Sequence, residues 1–217
     1  IVLALHTFVF LYFFNLLPHL ATEFSVSLDN WRGLMGRSIS ISLWPACLIA
    51  LGGTLFAPVL IPAVYGEAFV PAVLPFQIAI WMIPAAWFSG HFRFSLIAAG
   101  QQWWAFMVSA ITAVVTVVTG VFLSHHHGAA GAASAFMLGG VTSTVLAIIA
   151  TNRYVGPAPV LFTTGSALAA TAICLAAGFG ITAVAGPWAG TTVACLAFVA
   201  IAVRQNIELV RLGRDWI

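Results

Sequence analysis

Residues 103–123 read "WWAFMVSAITAVVTVVTGVFL", a run with no charged residue and no proline. About 20 apolar residues in a helix cross a bilayer core of about 30 Å. Lipid offers no water to backbone N–H and C=O groups, so such a run must bond to itself as a helix. Period-2 alternation, the mark of a membrane barrel, is absent from it. The run therefore predicts a transmembrane helix, and its neighbours repeat the pattern.

Outward from it, apolar runs at 1–17, 39–62, 70–99, 130–150, 160–185 and 188–203 alternate with short polar breaks, giving seven expected spans in one transmembrane domain over 1–217. The first run lacks the basic start and small-residue cleavage site of a signal peptide. It reads as the continuation of a helix that begins upstream. The composition agrees with an all-α polytopic bundle: 62% of residues are hydrophobic, 6% are charged, and the mean hydropathy is +1.10. A soluble domain carries about 25% charged residues and could not be built from this composition.

Charge sets the expected orientation. All seven basic residues are Arg, at positions 32, 37, 93, 153, 204, 211 and 214. They fall in 18–38, around 93–102, in 151–158 and in the tail 204–217. The alternate breaks at 63–69, 124–129 and 186–187 hold only Glu67 and the run His125-His126-His127. Basic residues favour the cytoplasmic side, which puts the C-terminus there. The tail then reads as a short interfacial helix with Trp216 among headgroups. Segment 18–38 has helical spacing at Leu20, Phe24, Leu28, Trp31 and Leu34. This predicts an amphipathic helix on the inner membrane face, or a moving linker between spans.

Other function classes are excluded or left bare. A net charge of +2 is too small for nucleic acid. Cys47, Cys174 and Cys195 lie in apolar spans without metal-ligand spacing and read as small core residues. Three consecutive histidines point apart, so they do not form a compact metal site by themselves. Paired acids, a Ser/His/Asp grouping and a phosphate-cradling Gly loop are all missing, so neither an enzyme nor a cofactor is expected.

Several breaks, taken in order, carry a family likeness. They are "NLLPHLATEFS" (15–25), "WRGLMGRS" (31–38), "FAPVLIPAVYGEAFVPA" (56–72), "LIAAGQ" (96–101) and "HHHGAAGAASAF" (125–136). Pro18, Tyr65-Gly66 with Phe69, Ala98-Ala99-Gly100, and Gly128 with Gly131-Ala132-Ala133 are the matching positions. This order resembles the C-terminal half of polysaccharide-type flippases, within the multidrug/oligosaccharidyl-lipid/polysaccharide exporter superfamily. The resemblance covers residues of about 10 to 155. Gln101 and Gln102 stand where the family often has a basic residue, and the His run is unusual.

The resemblance implies one lobe of a two-lobed, alternating-access exporter in a bacterial inner membrane. Its cargo would be a lipid-linked oligosaccharide with an anionic diphosphate head. A polysaccharide polymerase and glycosyltransferases would be its neighbours. Two other readings stay open: a non-transporting component of a polysaccharide assembly complex, and a small-molecule exporter of the same superfamily.

Six residues are the candidate substrate contacts. Arg93 lies seven residues before Gly100, about 10 Å along the helix, and an arginine in hydrocarbon costs about 2.5–3.5 kcal/mol. It either snorkels to the inner interface or grips a phosphate from a cavity. Gly90, Ser89 and Ala86 share its helical stripe, and Ser89 is the polar member. Gln77, Trp81, Phe88 and His91 fall along another face, suited to sugar hydroxyls and ring faces or simply to helix packing. Asn15 sits mid-span, with an interhelical hydrogen bond as its first role and the cavity as its second. The small face Gly128, Gly131, Ala132 and Ala135, extended by Gly139 and Gly140, predicts close helix contact.

Overall fold

The structure is a computed structural model that describes the backbone of residues 1–157 and 161–214 and the side chains of residues 1–157 and 164–205. Helix α1 spans Val2–Val26, α2 Leu28–Tyr65, α3 Val73–Ala79, α4 Met82–Ala98, α5 Gln102–Tyr154, α6 Leu161–Ala185 and α7 Pro187–Arg214. A 3₁₀ turn, Glu67–Ala72, joins α2 to α3. The fold is an all-α polytopic bundle. Among the described residues, six helical stretches are long and apolar enough to cross a membrane, with the 3₁₀ turn, α3 and α4 together forming one of them.

That number differs from the seven expected spans because of α5. Its 53 residues are two helices that meet at Gly128, where the backbone leaves the helical region at φ 56°, ψ −135°. Only glycine adopts that turn without strain. The chain folds back there. Gly120 faces Ala135, Gly139 rests on Thr116, and Gly131 rests on the Leu123 carbonyl. At the far end Trp104 and Tyr154 stack with ring centroids 4.3 Å apart. So α5 is a hairpin of two membrane-length arms, 102–127 and 129–154, close to the expected runs 103–123 and 130–150.

The hairpin closes because its second arm is lined with small residues. Gly131, Ala135, Gly139, Ser143, Ala147 and Thr151, every fourth residue, are all buried. A step of four advances about 40° beyond a full turn, so the stripe winds from the first arm towards α4. Near the far end, Thr151 Oγ1 donates to the Phe92 carbonyl at 3.1 Å. Ala132 stands off this stripe, half-buried.

Segment 18–38 is not a helix on the membrane surface. Its first part completes α1 and its last part begins α2, with the break at extended Ser27. Ser27 Oγ accepts from the Asn30 N–H at 3.1 Å, capping α2, and Asp29 in the first turn suits the helix dipole. Trp31 is fully buried, and its indole N–H donates to Ser95 Oγ on α4 at 3.2 Å. Leu20, Phe24, Leu28, Trp31 and Leu34 thus pack into or against the bundle core, while Val26 stays exposed.

The expected proline-rich span 70–99 is jointed. Pro75 and Pro84 lie in the first turns of α3 and α4, where a missing N–H leaves no bond unmade. Helix α2 is the hub, touching α1, α3, α4, α6 and α7, while α4 is clasped by α1, α2 and α5. Helix α7 runs on to Arg214, so the tail after 203 continues its helix. The side chains of Arg211, Arg214 and Trp216 lie outside the described residues.

Candidate functional site

Helix α4 presents two polar faces. On one, Ala86, Ser89 and Arg93 line a cavity of about 460 Å³, together with His6 of α1 and both arms of α5. Small-molecule sites occupy about 300–1,000 Å³. The α5 arms contribute Ser109, Thr112 and Thr116 from the first and Gly139, Gly140 and Ser143 from the second. The glycines let the helices close around it, since a side chain at Gly139 would strike Thr116 and one at Gly140 would press on Ala85.

Arg93 is half-buried and makes no hydrogen bond or ion pair with any described residue. The one ion pair among the described residues joins Arg32 to Asp29, at 2.9 Å, elsewhere in the molecule. No described carboxylate lines the cavity. Its walls instead carry hydroxyls. Ser109 and Thr116 donate to carbonyls of their own helix, at 2.9 and 2.8 Å, which leaves their oxygens as acceptors. Thr112 Oγ1 is buried with no partner and keeps its O–H free. A fixed cation and the free O–H of Thr112 can hold an anionic oxygen in a low-dielectric wall, while the acceptor oxygens of Ser109 and Thr116 suit donors such as sugar hydroxyls.

The other face of α4 is closed. His91 is 1% exposed. Its Nδ1 lies 2.7 Å from the Trp87 carbonyl and its Nε2 2.8 Å from Ser38 Oγ. Tyr12 Oη lies 2.6 Å from the same Ser38 oxygen. A carbonyl only accepts, so Nδ1–H donates to it. With the ring neutral, Ser38 donates to Nε2 and Tyr12 donates to Ser38. This chain ties α1 and α2 to α4, and Phe13 packs edge-on to the imidazole at 4.8 Å.

The structure therefore brings Arg93 and Ser89 together and leaves the other four candidates elsewhere. Gln77 Nε2 donates to the Thr54 carbonyl of α2 at 2.8 Å. Trp81 packs against the small apolar cluster of Ala46, Ile80 and Ile83. His91 is sealed in its network. Asn15 is exposed and donates to the Leu11 carbonyl of its own helix at 2.9 Å, in place of the interhelical bond expected of it. Gly90, placed on the arginine stripe by spacing, lies instead against the Phe13 ring.

Sequence reasoning missed His6 and the α5 hydroxyls. The hydroxyls had a signal, because Ser109, Thr112 and Thr116 share one helical face by spacing. His6 had none, since only packing decides which side of α1 meets α4. No protein-family model, curated protein sequence or solved structure matches this chain.

Proposed function

We propose that the protein moves a lipid-linked oligosaccharide, or a polysaccharide precursor, across a bacterial cytoplasmic membrane by alternating access. Arg93 and the free Thr112 O–H take the anionic diphosphate head, the acceptor oxygens of Ser109 and Thr116 meet sugar hydroxyls, and the lipid tail stays in the bilayer. The protein is multi-pass with a cytoplasmic C-terminus, and polysaccharide polymerase and glycosyltransferases are its functional neighbours.

One observation carries this reading: an arginine without a bonded partner among the described residues, inside a membrane bundle, facing a cavity that no described acid lines. Such a charge needs compensation, and a phosphate group supplies it through paired charge-assisted bonds. The confinement of Arg to alternate breaks supports the orientation. The likeness of 10–155 to polysaccharide flippases supports the cargo.

The test is complementation in cells whose surface polysaccharide depends on this protein. Arg93→Ala is expected to abolish surface polysaccharide while membrane levels of the protein persist. Full complementation by that variant would overturn the reading.

A further inference from the structure

Two ionisable groups, Arg93 and His6, line the same cavity, and they come from different helices. His6 is half-buried on α1 and within Coulombic range of Arg93 on α4. The surroundings of His6 are otherwise uncharged. Both arms of α5 face the cavity with hydroxyl, glycine or apolar residues, and α2 and α3 contribute nothing to its wall. The other α4 histidine, His91, is turned away to Ser38. Among the described residues no carboxylate lines the cavity to hold a proton on the His6 imidazole.

From this arrangement we infer that His6 is a second anion-holding group of the Arg93 cavity, charged only when protonated, so that anion binding there takes up a proton. The inference rests on the cavity being an anion site. Histidine changes charge between about pH 5 and pH 8, whereas arginine stays charged throughout. Two cations in one empty cavity repel each other. An anion lying between them attracts both and turns that repulsion into a joint hold. Binding of the anion and protonation of His6 then favour each other, as reciprocal linkage requires. The anion is thus gripped by one permanent and one conditional charge, from two helices.

The experiment uses the protein in phospholipid nanodiscs with geranyl diphosphate as the probe. Affinity is measured by calorimetry at about pH 5.5 and about pH 8, the two limits of histidine charge. The probe titrates too, but its contribution is common to all variants. Wild type is expected to gain about 10-fold more affinity on acidification than His6→Gln does, a typical size for a coupling between two groups. At the higher pH the two are expected to bind equally. Arg93→Gln is expected to lose binding at both values. Equal acid gains for wild type and His6→Gln, with Arg93→Gln still defective, would overturn the role of His6 alone. Unchanged binding by Arg93→Gln, or none by wild type, would overturn the anion site and this inference with it.

Discussion

His91 and Arg93 stand two residues apart on α4 and have opposite surroundings. His91 has both ring nitrogens within bonding distance of protein oxygens and almost no exposed surface. Arg93 has no bonded protein partner and borders a cavity. Successive helix positions two apart lie about 200° round, so one helix presents each to a different neighbour. The α1–α2 side supplies Ser38 and Tyr12, which fill the bonding capacity of the histidine. The α5 side supplies hydroxyls around a cavity and no ion-pair partner among the described residues. A polar residue in a span thus reads as structural when its bonds are complete and as functional when they are open.

That contrast makes the two residues separable. Arg93→Ala is expected to lower transport about 100-fold, the loss of charge-assisted bonds worth up to about 3 kcal/mol, and to leave stability nearly unchanged. His91→Ala is expected to do the reverse. It strips Ser38 of its acceptor and opens a void, lowering stability by about 3 kcal/mol on reversible unfolding in mixed micelles. Transport per folded molecule should persist. If both variants lost stability and activity together, the two faces would not be distinct.

Ser38→Ala sharpens the closed face. It leaves Tyr12 and His91 facing each other across a missing hydroxyl, and a loss of about 1–2 kcal/mol is expected in the same unfolding measurement. A stability equal to wild type would show the network to be ornamental. The smallest effect belongs to Asn15→Leu. Its amide bonds only its own helix on an exposed surface, so a change under about 0.5 kcal/mol is expected, with transport intact. Loss of transport there would place α1's outer face in the mechanism.

Much of the architecture was legible before any contact was known. The run 103–123 required a helix and Gly100 marked a place where the chain turns with positive φ, whereas Gly128, read as part of a packing face, is itself the turn. The small stripe from Gly131 onward announced close packing. Less legible was 18–38, whose helical spacing was real but served the ends of α1 and α2. Trp31 shows why: an aromatic on a polar linker suits headgroups and a bundle interior equally well, and only Ser95 across from it decides.

The same ambiguity governed the site. The sequence by itself determined that this is a bundle of apolar helices and that Arg93, a charge in such a helix, needs explanation. Backbone hydrogen bonding in lipid admits no other solution, and charge in hydrocarbon is costly wherever it points. Tertiary structure alone decided that His91 is sealed, that Asn15 bonds its own helix, and that His6 joins Arg93. The reason is that lipid tails and helix partners are equally apolar, so hydrophobic pattern does not distinguish the face of a helix that meets lipid from the face that meets protein.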